Sequence, residues 1–239
     1  MIRLTYDPRL AEQTVLLAER TAPLVDARAF RDERDRIYSI RDDDCREAGF
    51  RDLHQRWFVR WALHGPIERA LLERVDVSRR LTEGRVLAAF SLRDEGADLL
   101  DRVTPRRQAS GCLLVIRLRP ETLIDPGAAQ RLLRHELIHV ADMLDPRFGY
   151  DRRLPASDDG STGDLVTRDR YRVLWDVTID GRLVRAGLAQ ADVRARRWIE
   201  FSATFAALGD GRRAAFDDWF ETTAPTHQGL LAFARARVR

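Results

Sequence analysis

The 239-residue chain contains neither lysine nor asparagine, and all 41 of its basic residues are arginine. Without lysine there is no Walker A phosphate-binding lysine, no Schiff base and no protein-kinase lysine, so the common nucleotide and pyridoxal mechanisms drop out. Cysteine is scarce as well. Cys45 and Cys112 belong to no CxxC pair, which argues against a disulfide framework or a cysteine zinc site and suits a reducing cytoplasm. No uncharged apolar run approaches the roughly 20 residues of a membrane span, and the first twenty residues lack the apolar core of a signal peptide. The expectation is a soluble, unexported protein with no membrane partner. Although the pI is about 9.3, the 38 acidic residues interspersed among the arginines leave a formal net charge of only +3. That balance argues against nucleic acid as a partner.

A hydrophobic content of 44% is enough for a buried core in one large domain or in two subdomains. Helical spacing of apolar residues dominates the first hundred positions, in LAEQTVLLAER and in LHQRWFVRWALHG. His54 and His64 fall there with no second ligand three or four positions on, and read as packing histidines. Two stretches break the helical pattern and read as strands: RVLAAFSL (85–92) and CLLVIRL (112–118). Asp125 followed by Pro126 is a helix-start signal and Pro146 a stop, predicting a helix over 126–144. Residues 146–169, rich in Pro, Gly, Ser and Asp, read as a long loop. A second helix is expected in 171–187, and a helical stretch from Gln190 onward carries Trp198, Phe201, Phe205, Phe216, Trp219 and Phe220 as core candidates. The predicted fold is α+β and mainly helical, with a small N-terminal sheet. Its expected division is an N-terminal subdomain over 1–145 and a helical C-terminal subdomain over 146–239.

Residues 135–139 read HELIH, an instance of HExxH. On a helix, positions four apart lie one above the other, so His135 and His139 can offer imidazole nitrogens to one ion with Glu136 beside them. At about 100° per residue, His139 falls about 40° round from His135, while Leu133, Leu137, Val140 and Leu144 gather on the opposite side. Paired imidazoles with a carboxylate suit zinc, and a catalytic zinc takes three protein ligands and keeps a position for water. A third ligand is therefore needed. In YRVLWDVTIDGRL, Asp176 and Asp180 share one helix face, and two carboxylates on an apolar-flanked face are costly to bury without a cation.

The combination resembles the zincin metallopeptidases, and specifically the gluzincins, over about residues 112–183. In that family HExxH is followed on a second helix by a glutamate ligand and, four residues later, by an aspartate. The resemblance implies a zincin-like fold, with His135, His139 and Asp176 as zinc ligands, Glu136 as the general base and acid, and Asp180 as the hydrogen-bond partner of His135. This chain has aspartate at 176 where the gluzincins have glutamate, and Trp175 where the family has asparagine. Asp142, Asp180 and Glu200 stand as rival third ligands. An oxyanion donor besides the metal is also needed, with Tyr171, Arg172, Tyr150 and His227 as candidates, and the family analogy favours His227 and Tyr171. By the same resemblance CLLVIRL would be the sheet edge that receives an extended peptide.

The expected function is that of a cytoplasmic zinc metallopeptidase acting on peptide or protein substrates. Two alternatives stay open. One is an Arg-rich helical module that binds nucleic acid or protein and carries HExxH incidentally. The other is a catalytically inactive zinc-binding regulatory protein.

Overall fold

The structure is a computed structural model and describes residues 2–22, 24–101, 111–152 and 160–236. It is α+β and mainly helical, with one small mixed sheet. The chain forms two compact units, Met1–Leu137 and Ile138–Arg239.

In the first unit β1 (Arg3–Tyr6) leads into α1 (Pro8–Thr21), α2 (Ala27–Tyr38), α3 (Asp43–Arg60), α4 (Gly65–Glu73) and α5 (Val75–Arg80). The strands β2 (Glu83–Ala88), β3 (Gly96–Asp101) and β4 (Cys112–Leu118) follow, then the short α6 (Pro120–Ile124) and the start of α7 (Pro126–Leu144). Local chemistry sets the helix starts. Asp7 accepts the Arg9 amide at 2.9 Å ahead of α1, where Pro8 occupies the first turn, and Asp42 accepts the Cys45 amide at 2.8 Å ahead of α3. Buried Leu10, Val15, Trp57 and Phe58 pack where α1 meets α3. His54 is buried against Phe30 and Phe50 on the same side of the unit.

The strand order is β1-β2-β4-β3, with β1, β2 and β4 parallel and β3 antiparallel to β4. Leu114, Val115 and Ile116 are buried in succession, as an interior strand covered on both faces requires. This corrects the expectation that CLLVIRL forms the sheet edge: β4 is internal, and β3 is the edge next to it. The strand expected over 85–92 runs instead over 83–88, because Ser91 and Asp94 close a turn by a 2.8 Å side-chain hydrogen bond.

The second unit is built round α8 (Gly160–Arg185), against which α9 (Val193–Thr204), α10 (Arg212–Glu221) and α11 (His227–Arg235) pack. Val173, Leu174, Val177 and Ile179 are buried with Phe201, Phe216 and Phe220, so the C-terminal aromatics form core as expected. α8 begins well before residue 169, which shortens the expected loop; its middle, residues 153–159, lies outside the described residues. The early turns of α8 expose Leu165 and Val166 and so carry no apolar stripe to announce them. Extending a helix already nucleated by a packed segment costs little. Among the described residues no helix is long and apolar enough to cross a membrane.

Gly181 marks the closest approach within this unit: a Cβ built there would collide with the Phe220 carbonyl at the end of α10. Gly181→Ala should therefore force α8 and α10 apart and destabilise the protein by on the order of 3 kcal/mol. Urea denaturation of the two proteins measures the difference.

Candidate metal centre

α7 starts and stops where the sequence dictates. The Asp125 carboxylate accepts the amides of Gly127 and Ala128, both at 2.9 Å, and the helix ends two residues before Pro146. Leu133, Leu137 and Val140 are buried, which leaves His135, Glu136 and His139 half-buried on the other side. One ligand atom from each of these three side chains lies within 4.8 Å of the other two. The group can hold a metal ion, although its composition is not specific to zinc.

Glu136 is tethered to the sheet. Its Oε2 accepts the amide of Ala97, in the edge strand β3, at 3.0 Å. Gly96 makes that approach possible. It sits at φ +153°, where side chains are rarely found, and a Cβ there would lie 2.9 Å from Glu136 Oε2.

His139 faces the second helix of the motif. Its Nε2 lies 3.0 Å from Asp176 Oδ1. The separation is that of an imidazole–carboxylate hydrogen bond, and Asp176 is not one of the three side chains whose ligand atoms gather on α7. The His139 ring meets Trp175 edge-on, with centroids 4.4 Å apart at 82°. Trp175 is held in turn: Phe148 stacks on it at 5.1 Å and its Nε1–H donates to Asp142 Oδ2 at 2.7 Å. The tryptophan that departs from the family pattern thus fixes the ring of one motif histidine.

Asp176 is buried and heavily paired. Its Oδ2 accepts from Arg172 at 3.1 Å and from Arg197 at 3.3 Å. Asp180 Oδ2 accepts from Arg197 Nε at 2.6 Å. Glu200 takes Arg197 at 2.6 Å and Arg172 at 3.0 Å. Burial works against the charge of Arg197, but Asp176 and Asp180 outweigh it and hold the guanidinium pKa above its usual value. Of the rival ligands, Asp142 is engaged elsewhere, gripped by both Arg182 terminal nitrogens at 2.8 and 2.6 Å as well as by Trp175. Glu200 is bound into the arginine network.

The two oxyanion candidates favoured by the family analogy meet each other. Tyr171 Oη and His227 Nδ1 are 2.8 Å apart and buried. Burial first, then the neighbouring charges of Tyr150 and Asp142, push the Tyr171 pKa up, so its hydroxyl stays protonated. Burial lowers the His227 pKa against a smaller opposing pull from Asp151, which keeps the imidazole neutral. Whichever tautomer His227 adopts, the pair retains one N–H or O–H beyond the bond they share. Tyr150 lies 5.9 Å from the His227 ring between centroids.

The sequence points to Arg172 as an oxyanion candidate but gives no sign of Arg197. Arg172 stands four positions before Asp176, a spacing that was available. Arg197 belongs to another helix, and no local pattern pairs it with α8. Comparison with known protein families, with curated proteins and with solved structures finds no match to this chain.

The pairing of Asp142 yields a test. Asp142→Ala leaves Arg182 without its bidentate partner and Trp175 without an acceptor, and should cost about 3 kcal/mol of stability in a denaturant titration.

Proposed function

We propose that this protein is a cytoplasmic zinc metallopeptidase of zincin type, with His135, His139 and Asp176 as metal ligands, Glu136 as general base and acid, and Asp180 orienting His135. The observation that carries the reading is the convergence of His135, Glu136 and His139 on one helix, with Asp176 Oδ1 3.0 Å from His139 Nε2. The donor set of two imidazoles and a carboxylate is one that zinc favours in catalytic sites. When bound, zinc supplies Lewis acidity that polarises a carbonyl and brings the pKa of water down to about 7.

The chain's own residues do the rest. Glu136, fixed by the Ala97 amide through Oε2, takes a proton from water on its other oxygen and hands it to the departing amine. The hydrogen-bonded Tyr171–His227 pair offers its remaining donor to the negative charge that develops on the carbonyl oxygen. An extended peptide can pair along the edge strand β3, whose Ala97 holds Glu136, and main-chain pairing gives affinity with little demand on sequence. The α+β architecture, with the HExxH helix following a small mixed sheet, is compatible with a zincin fold.

Purified protein should contain one zinc per chain, and His135→Ala or His139→Ala should lose it. Glu136→Gln should keep zinc and fold while cleavage of a peptide library falls roughly 10²–10⁴-fold. Gly96→Ala, by crowding Oε2, should likewise lower cleavage with zinc retained. An undiminished rate in Glu136→Gln would remove Glu136 from the reaction, and absence of zinc from the wild type would remove the metal.

A further inference from the structure

Carboxylates that bind metals are themselves hydrogen-bonded by neighbours that orient them. In this protein the second oxygen of Asp176 is held by guanidinium groups on both sides. Arg172 reaches it from one turn earlier on α8, but that side chain is 55% exposed and shared with Asp169 and Glu200. Arg197, from α9, is 20% exposed. It binds three carboxylates at once: Asp180 through Nε at 2.6 Å, and Asp176 at 3.3 Å and Glu200 at 2.6 Å through the same terminal nitrogen. A planar fork can span partners on two helices in this way; an ammonium group, a compact point charge, cannot do so with the same geometry.

Building on the zinc reading above, we infer that Arg197 is the positioning residue of the metal centre. It fastens Asp180 and the outer oxygen of Asp176 in one arrangement, so that Oδ1 of Asp176 stands ready opposite His139 before any ion arrives. The same contacts balance carboxylates that would otherwise repel one another in a buried site. In this account α8 and α9 are docked by the charges that also shape the ligand.

The sign of the effect separates positioning from simple electrostatics. Removing a cation from beside a carboxylate ligand makes the site more negative and, by charge alone, strengthens binding of a divalent ion. Removing a clamp weakens it.

Competition of zinc(II) against a chromophoric chelator, on full-length protein, decides between them. Arg197→Ala should bind zinc roughly 10–100-fold more weakly than wild type, the range seen when an outer partner of a ligand is lost. Arg197→Lys, which keeps the charge but not the fork, should fall between the two. Arg194→Ala is the control, because Arg194 on the same helix pairs among the described residues with the carboxylates of Glu221 and Asp217 and should leave zinc affinity at the wild-type value. Circular dichroism checks that each variant is folded; if Arg197→Ala is not, the Lys variant carries the comparison. Unchanged or tighter zinc in folded Arg197→Ala, or wild-type affinity in Arg197→Lys, overturns the positioning role. Failure of wild type itself to bind zinc overturns the metal reading instead.

Discussion

A carboxylate withdrawn from water has to be compensated, and much of the second unit is arranged round the compensation of one. Asp176 presents Oδ1 to the His139 ring and Oδ2 to Arg172 and Arg197. Bringing those guanidinium groups to it requires α8 and α9 to pack with Arg197 turned inward, and that packing draws in Asp180 and Glu200. Replacing such a network with apolar side chains often costs a protein nothing in stability, whereas removing one partner alone is expensive. A network of this kind is thus better understood as fixing a geometry than as adding stability, and the geometry it fixes is that of an oxygen beside an imidazole.

The other components of the centre are held by equally specific means, each within its own unit. The sheet edge takes Glu136 through a main-chain amide, so the orientation of its carboxylate depends on backbone and not on a mobile side chain. A glycine at position 96 is the condition for that contact. His139 is oriented by Trp175, itself pinned by Asp142, Arg182 and Phe148. Trp175 also touches Tyr171, at 5.6 Å between ring centroids, and Tyr171 bonds to His227. The imidazole of the HExxH helix and the buried Tyr–His pair are therefore connected through a single indole.

Where local chemistry determines an element, the sequence was sufficient. The Asp125–Pro126 start and the Pro146 stop give α7 its observed bounds, and the apolar stretch CLLVIRL gives β4 its bounds. What escaped depended on partners distant in the chain. β1 is four residues long and exists because it pairs with β2 some eighty positions later. β3 reads GADLLD, with Gly and Asp that local propensity assigns to turns, and is a strand because β4 lies beside it. Its position at the edge could not be inferred from β4 alone, which is why the edge was assigned to the wrong strand. The candidate site followed the same division: HELIH and the Asp176–Asp180 pair were legible as periodic patterns on single helices. Arg197 and the Asp142–Arg182 pair were not, since each joins helices whose relative packing no local pattern encodes.

The proposed centre requires a metal ion held by the two imidazoles of α7 and the carboxylate of Asp176. Zinc-edge X-ray absorption on the zinc-loaded protein, compared between wild type and Asp176→Ala, addresses it directly. The expected first shell contains two histidine nitrogens and a carboxylate oxygen, with one light scatterer fewer in the variant. A shell with a single histidine, or one unaltered by the loss of Asp176, would contradict it.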